Sequence, residues 1–197
     1  MDRSNGYEAI SAEWLARRGN IAARPTAIGV NEVRKWAMTL PRGGSVIDLG
    51  CGPGFPITVL LVEEGLDVFG VDAAPSFVAA FRRNLPGIPV VCESALESDF
   101  FGRTFDAALA WGLMFLLRAD EQHQLIQKVA ENLVPGGRLL FTSTAKPTVW
   151  TDGMTGFESV SLGAEQYRER LAVAGLFVTE EYEDAGENHY LHAIKNE

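Results

Sequence analysis

The stretch VIDLGCGPGFPIT, residues 46–58, decides how the rest of the sequence is interpreted. An apolar run ends in an aspartate and three closely spaced glycines, Gly50, Gly52 and Gly54. Glycine lets a chain turn sharply and lets a ligand approach the backbone without meeting a Cβ atom. The stretch therefore predicts a buried strand that ends in a ligand-binding loop, followed by a helix.

Length and composition favour one domain over residues 1–197. The chain has 197 residues, of which 47% are apolar, and no apolar run approaches the roughly 20 residues of a membrane span. The N-terminus MDRSNGYEAISAEW lacks the apolar centre of a secretory signal, and two cysteines do not suggest a disulfide framework. A net charge of −9 argues against the broad basic surface that nucleic acids attract. We expect a cytoplasmic protein with no nucleic-acid and no membrane partner.

Short apolar strands alternate with helical patterns, which predicts an α/β fold with a mostly parallel sheet. Five strands are predicted at residues 45–50, 67–72, 89–94, 105–111 and 138–144. Two more, at 177–184 and 188–195, are separated by only a few residues. Parallel neighbours need a crossover of about a dozen residues or more, so these two must form an antiparallel hairpin.

The glycine loop differs from the pyrophosphate-binding G-x-G-x-x-G loop of dinucleotide folds. Its third glycine comes one residue early, and Phe55 occupies the sixth place, where a large ring obstructs close packing of helix on strand. Asp48, at the strand end, is poorly placed for a pyrophosphate and well placed to hold a cationic amino group. S-adenosylmethionine carries an ammonium group and a sulfonium but no phosphate. The loop therefore favours that ligand.

Asp72 ends the second strand, 22 residues after Gly50. A carboxylate at this position can accept hydrogen bonds from both ribose hydroxyls of a nucleotide ligand. The alternative is a residue that caps the helix beginning near Pro75. Ribose recognition serves S-adenosylmethionine and nicotinamide cofactors equally, so Asp72 alone does not separate them.

Taken in order, these segments resemble the motifs of class I S-adenosylmethionine-dependent methyltransferases, from about residue 40 to the end. DLGCGPG resembles the first motif and VFGVDAAP the second, while VVCESAL, AWGLMFLL and LVPGGRLLFTS stand where the third to fifth are expected. The resemblance implies a small, bacterial-type, single-domain member of the family. Its fold would be a doubly wound, mostly parallel seven-stranded Rossmann-like sheet, whose antiparallel C-terminal strand inserts between the fifth and sixth.

The resemblance implies S-adenosylmethionine as cofactor and S-adenosylhomocysteine as product. It places the following residues at the cofactor: Asp48, Gly50, Cys51, Gly52, Gly54, Asp72, Ala73, Ser94, Ala95, Leu96 and Trp111. The family often has an aspartate at Ser94, whose hydroxyl lacks charge assistance in a hydrogen bond to adenine. Ala95, Leu96 and Trp111 would then supply apolar walls, although Trp111 is equally well interpreted as a core aromatic. Cys51 is expected to have a packing role and not to act as a nucleophile.

Substrate residues are expected where the parallel strands end. The family usually adds an N-terminal lid, and residues 1–40 are predicted as a helical lid region on an α/β core at 41–197. Tyr7 and Trp14 of this region either close over the cofactor or simply pack on the domain. Met114 follows the fourth strand, and the long, aromatic-bearing loop at 143–161 is of the kind that covers a site.

Polar residues concentrate in GENHY, residues 186–190, at the tip of the C-terminal hairpin. Because the sixth strand runs parallel to the first five, this tip lies at the rim of the site. Asn188 and His189 are therefore substrate-side candidates, and His189 is a candidate general base or substrate anchor. Tyr190 should point to the opposite face of its strand. The alternative is an ordinary turn.

Methyl transfer from a sulfonium is an in-line displacement with a neutral leaving group, so positioning and water exclusion matter more than a catalytic triad. We expect a methyltransferase acting on a small-molecule nucleophile, with no metal. The alternatives are a protein methyltransferase, a nicotinamide-dependent oxidoreductase and a non-catalytic module that binds the cofactor. The motifs leave the acceptor atom and the oligomeric state open.

Overall fold

A computed structural model describes residues 3–18 and 28–196. Its elements in chain order are α1 Ser11–Arg18, α2 Val30–Ala37, β1 Ser45–Leu49, α3 Ile57–Glu63, β2 Asp67–Asp72, α4 Pro75–Asn84, β3 Val90–Cys92, β4 Phe105–Ala110, α5 Ala119–Asn132, β5 Leu133–Ser143, β6 Thr148–Thr151, β7 Glu158–Ser161, α6 Ala164–Val173, β8 Leu176–Glu183 and β9 His189–Lys195. None of the helices in these two ranges has the length and apolar character needed to cross a bilayer.

Seven strands form one sheet in the order β3-β2-β1-β4-β5-β9-β8. β9 is antiparallel to both of its neighbours, β5 and β8, and the other pairs are parallel. The predicted doubly wound sheet with an inserted antiparallel C-terminal strand is therefore confirmed. The strand order reverses between β1 and β4, and ligands of open α/β sheets bind in the crevice at such a reversal.

The sheet is covered by helices on both faces, so its central strands are largely buried. All five residues of β1 are buried, as expected for a parallel strand between two layers. Ile47 belongs to the core shared with α5 and α6, whereas its neighbour Val46 belongs to the core shared with α2 and α3. Alternate side chains of one strand thus supply both layers.

Helix α2 belongs to this body, although it was predicted as part of an N-terminal lid region. Val33 and Trp36 are buried in the same core cluster as Val46 and Leu60. The lid region predicted over residues 1–40 therefore extends too far, because the apolar face of the helix at 30–37 packs on the sheet. Residues 1–2 and 19–27 of that region lie outside the described residues.

The loop predicted at 143–161 contains a two-stranded hairpin, β6–β7. Its turn is closed by Asp152 Oδ1, which accepts hydrogen bonds from the backbone N–H groups of Met154 (2.9 Å) and Thr155 (2.7 Å). Asp-Gly is a common turn dipeptide, but the segment was predicted only as a loop. The short strands themselves are polar and give little periodicity.

A buried polar network fixes this hairpin to the domain. The Tyr167 hydroxyl donates to Gln122 Oε1 at 2.6 Å and lies 2.9 Å from Ser143 Oγ. Ser143 Oγ donates in turn to Ser161 Oγ of β7 at 2.8 Å. Gln122 Nε2 donates to the carbonyl oxygen of Val160 at 2.7 Å. α5, α6 and β5 therefore hold the base of the hairpin in one orientation.

We expect Tyr167→Phe to lower the free energy of unfolding by roughly 1–3 kcal/mol, because it leaves the Gln122 carbonyl without its donor in the core. Tyr182→Phe is the matched control, since the Tyr182 hydroxyl has no hydrogen bond to the part of the chain that the structure describes. Urea denaturation of both variants checks the difference. Equal stability of the two variants would contradict the role given to this network.

Candidate functional site

A cavity of about 750 Å³ lies at the carboxyl ends of β1, β2 and β4. Most of the residues predicted for the site line it: Tyr7, Trp14, Asp48, Gly50, Cys51, Gly52, Asp72, Ala73, Ser94, Ala95, Leu96, Trp111 and Asn188. The topology explains this, because the ends of neighbouring parallel strands meet at one edge of the sheet.

Gly54 and Met114 lie outside the walls of this cavity. A Cβ atom on Gly54 would lie 2.7 Å from Leu85 Cδ1 and 3.2 Å from Phe81 Cδ2, so this glycine allows the loop to pack on α4. Met114 is 2% exposed and belongs to the core beneath the loop. Their positions in the sequence predicted that both residues lie at the site. In the structure, both pack against neighbouring side chains outside the cavity wall.

Asp48 is a carboxyl group with little access to solvent at the end of β1. Its side chain is 2% exposed, and Thr58 Oγ1 donates a hydrogen bond of 2.6 Å to Asp48 Oδ2. Burial raises the pKa of Asp48 to about 7, and the nearby charge of Asp72 adds to the increase. Thr58 lies in the stretch at residues 46–58, but its role was not predicted because nothing in the local sequence marks it.

Asp72 ties the glycine loop to the start of α4. Its Oδ2 accepts a hydrogen bond from the backbone N–H of Gly52, and its Oδ1 accepts one from Ala74, both at 2.8 Å. Ala74 is itself the N-cap residue of α4, so this bond precedes the helix and Asp72 does not cap it. The same carboxylate lines the cavity. Burial raises the pKa of Asp72 to about 6, with a smaller contribution from the charge of Glu8.

Cys51 has the packing environment that was expected of it. Its backbone N–H donates to the carbonyl oxygen of Val71 at 3.2 Å, and a Cβ atom on Gly70 would lie 2.9 Å from its sulfur. Burial first, and the charges of Asp72 and Asp48 second, raise the pKa of the Cys51 thiol well above its usual value. A neutral thiol is a poor nucleophile.

The wall beyond Asp72 is a tight turn at residues 94–98. Ser94 Oγ accepts a hydrogen bond from the backbone N–H of Leu96 at 3.2 Å. The Ser94 carbonyl oxygen accepts two more, from Glu97 at 3.0 Å and Ser98 at 2.9 Å. The Ser94 hydroxyl therefore shapes the turn, and its proton can still be donated to a ligand.

The N-terminal segment lies against α4 at the mouth of the cavity. Glu8 accepts hydrogen bonds from the backbone N–H of Ser76 (2.9 Å) and from its hydroxyl (2.6 Å). Ser76 is in the first turn of α4, where N–H groups have no partner within the helix and a negative charge is favoured. The rings of Tyr7 and Trp14 lie 6.3 and 5.0 Å from that of Phe77. Glu8 was missed because its partner is 68 residues away.

His189 does not join the other predicted site residues. Its Nε2 lies 3.2 Å from Glu181 Oε2 on β8, its ring is buried, and it lies outside the walls of the cavity. Tyr190 points the other way, as alternation predicts, and it is Tyr190 that contacts the site. Its hydroxyl accepts a hydrogen bond from Trp111 Nε1 at 3.0 Å. The geometry therefore gives no support to a general base at His189.

Within residues 3–18 and 28–196, no group of three or more His, Cys, Asp or Glu side chains is arranged to hold a metal ion. The two carboxyl groups with raised pKa values, Asp48 and Asp72, line the cavity together with residues of the glycine loop and aromatic side chains.

The Asp48 carboxyl should give the ligand-free protein a distinctive pH dependence. Its folded-state pKa lies above its unfolded value, so the stability it confers when protonated is full below about pH 4 and is lost as pH rises through about 7. Asp48→Asn should remove this loss and raise the free energy of unfolding near pH 8 by up to about 4 kcal/mol.

Urea denaturation between about pH 5 and pH 8 measures this effect. Asp99→Asn, at an exposed position, is the control and should follow the parent protein. If Asp48→Asn loses stability with pH as steeply as the parent does, the buried charge assigned to Asp48 is wrong.

Removing the Glu8 contact should loosen the N-terminal segment locally. In Glu8→Ala, amide exchange over residues 4–18 should be faster than in the parent protein. The loss of two hydrogen bonds to a charged group should lower the free energy of local opening by about 1.5–3 kcal/mol. Hydrogen exchange with mass spectrometry measures this directly. Glu13→Ala, which breaks an exposed pair with Arg17 within α1, should leave exchange nearly unchanged. Similar exchange in the two variants would show that Glu8 does not anchor the segment.

Comparison with known proteins agrees with this geometry. A family model described as a methyltransferase domain matches residues 46–137. An uncharacterized methyltransferase of Mycobacterium tuberculosis is 39% identical over 97 residues, which cover 48% of this chain and 37% of the relative. A ribosomal RNA small subunit methyltransferase C of Chromohalobacter salexigens is 35% identical over 120 residues, covering 58% and 35%. The matches thus span little more than a third of these relatives' own length.

Solved structures share the architecture over the whole chain. The magnesium protoporphyrin IX methyltransferase of Synechocystis, crystallised with SAH, superposes with a TM-score of 0.77 at 16% identity and covers 100% of both chains. At this identity the likeness shows the fold. Together with the methyltransferase-domain match over residues 46–137 and the ordered motifs around Asp48 and Asp72, this fold supports an assignment to the class I S-adenosylmethionine-dependent methyltransferases.

Proposed function

We propose that this chain catalyses methyl transfer from S-adenosylmethionine to a nucleophile on a small molecule. The observation that carries the proposal is the pair of carboxylates, Asp48 and Asp72, that flank the glycine loop and face the cavity. S-adenosylmethionine, when bound, supplies an electrophilic methyl group on a cationic sulfur. The residues of the chain bind it, orient the acceptor and exclude water.

The residues present fit this cofactor. Asp48 has one hydrogen-bond donor in Thr58 and a raised pKa, so a cationic ammonium group would stabilise its charged form. Each oxygen of Asp72 accepts one backbone N–H and has a further lone pair for a ribose hydroxyl. A Cβ atom on Gly52 would meet nothing within 4 Å, so the loop presents open backbone to the ligand.

The same pair of carboxylates disfavours the nicotinamide alternative. A pyrophosphate at this loop would bring its negative charges toward Asp48 and Asp72, which are already costly to ionise in the folded protein. Gly54 also packs against Leu85, which follows α4. It therefore does not act as the third glycine of a dinucleotide fingerprint.

We infer that residues 3–18 act as a lid. Tyr7 and Trp14 line the cavity, and Glu8 holds the segment on α4 next to Asp72. A Cβ atom on Gly6 would lie 2.7 Å from the Phe157 ring, so the segment also meets the tip of the β6–β7 hairpin. Two covers in contact would exclude water from the methyl-transfer step.

The enclosure favours a small acceptor over a nucleic acid. A duplex or a folded RNA needs an open, basic surface, whereas this cavity lies beneath two covering segments of a chain with a net charge of −9. The Chromohalobacter relative is named for ribosomal RNA, so RNA is the comparison to test. Labelled methyl groups should pass to members of a small-molecule panel of amines, thiols, phenols and carboxylates. Transfer to RNA or to protein alone would overturn the small-molecule assignment.

Cofactor binding can be tested without knowing the acceptor. In calorimetry, Asp72→Asn should bind S-adenosylhomocysteine more weakly by about 1.5–3 kcal/mol, because a charge-assisted hydrogen bond to ribose is lost. Asp67→Asn, at the exposed opposite end of β2, is the control and should bind like the parent. Unchanged affinity in Asp72→Asn, or tight NAD binding by the parent protein, would contradict the assignment.

A further inference from the structure

Trp111 stands directly after β4, beside the glycine loop. A Cβ atom on Gly50 would lie 3.3 Å from Leu113, so the segment 111–113 is in contact distance of that loop. The backbone N–H of Gly112 donates to Thr142 Oγ1 at 2.8 Å, which fixes the segment on β5. Under the proposed function the loop holds the amino-acid part of the cofactor. Trp111 therefore lines the cavity next to the methyl-donating end.

The indole of Trp111 is held by a chain of hydrogen bonds that leads away from the cavity. Nε1 donates to the Tyr190 hydroxyl at 3.0 Å, and that hydroxyl donates to Asp184 Oδ2 at 2.9 Å. Asp184 Oδ1 also accepts from the backbone N–H groups of Gly186 (2.8 Å) and Asn188 (3.0 Å). The turn before β9 thus fixes the carboxylate, the carboxylate fixes Tyr190, and Tyr190 fixes the indole.

Tyr190 is suited to this task because it stays neutral and rigid. Its side chain is buried and its ring stacks on Tyr182, with centroids 5.0 Å apart and planes 9° apart. Burial raises the pKa of Tyr190, so its hydroxyl keeps its proton over the working pH range. From the other side, a Cβ atom on Gly29 would lie 2.5 Å from Trp111 Nε1, so the backbone there closes over the same indole edge. Only the rest of the ring is left for the cavity.

The cavity that Trp111 lines has several apolar and aromatic side chains in its wall, together with polar and charged ones. The apolar residues that line the cavity include Ile28, Leu113, Phe115, Leu116, Phe157 and Val160, and the polar ones include Arg118, Glu121, Thr142 and Glu158. The Phe115 ring is itself braced by Trp150, with centroids 5.4 Å apart. The aromatic rings in this wall, Trp111, Phe115 and Phe157, offer flat faces that suit a planar ligand.

We propose that the methyl acceptor is a planar aromatic molecule that stacks on Trp111, and that Tyr190 and Asp184 are positioning residues for this platform. The proposal rests on the proposed function for the identity of the second ligand. It adds the chemical class of the acceptor and a reason for the polar turn at 184–188. That turn orients the indole through Tyr190, and it needs no proton transfer by His189.

Fluorine NMR of protein labelled with fluorotryptophan tests this, with the Trp111 signal assigned from Trp111→Phe. Protein saturated with S-adenosylhomocysteine is titrated with naphthol and, separately, with its saturated analogue decahydronaphthol. Naphthol should shift the Trp111 signal, and decahydronaphthol should bind roughly tenfold more weakly, since it cannot stack. Equal binding of the two, or a Trp111 signal that naphthol does not move, would overturn the platform.

Separate variants test whether Tyr190 positions the indole of Trp111. Tyr190→Phe should move the Trp111 signal in the ligand-free protein and weaken naphthol binding about tenfold, while S-adenosylhomocysteine binds as before. Tyr182→Phe makes the same chemical change in the stacked neighbour and should alter neither. Tyr190→Phe that behaves like Tyr182→Phe would remove Tyr190 from the proposal. If naphthol shifts Trp111 but S-adenosylhomocysteine does not bind, the cofactor assignment fails and the stacking site stands.

Discussion

Two carboxyl groups held in a low-dielectric corner of the sheet set the character of this protein. Asp48 and Asp72 end neighbouring parallel strands, and their hydrogen-bond donors are a hydroxyl and two backbone N–H groups. Neutral donors offset the cost of burying a carboxylate only in part, so both pKa values are raised. In a site built this way, ionised carboxylates lower the stability of the ligand-free protein. A bound cation and bound hydroxyl groups would stabilise the same carboxylates.

The rest of the fold holds those two carboxyl groups in place and covers them. The sheet order brings the ends of β1, β2 and β4 to one edge, and the glycine loop fills the space between them with backbone. Two segments distant in sequence then cover the edge, one through Glu8 on α4 and the other through the network of Tyr167 beneath β6–β7. A stabilised cover over a destabilised site is the usual compromise between stability and activity in enzymes.

The sequence predicted what short-range patterns encode. Strand β2 was predicted with its observed bounds, 67–72, and the close spacing of the last two strands forced an antiparallel hairpin. The carboxylates of Asp48 and Asp72 were found because strand ends and glycines mark them locally. Contacts across the chain left no such mark: Glu8 reaches Ser76, and Trp111 reaches Tyr190, 79 residues away. His189 and Tyr190 were both in the predicted stretch. Which of the two side chains faces the site depends on how β9 pairs with β5 and β8.

The most direct measurement of the central claim is the number of protons exchanged when S-adenosylhomocysteine binds. If its ammonium and ribose groups meet Asp48 and Asp72, binding favours the ionised carboxyls and lowers their pKa values. Calorimetry in buffers of different ionisation enthalpy should then show net proton release near pH 6.5, where Asp48 is largely protonated in the free protein, and almost none above about pH 8. Binding without proton release near pH 6.5, or with proton uptake, would contradict the account.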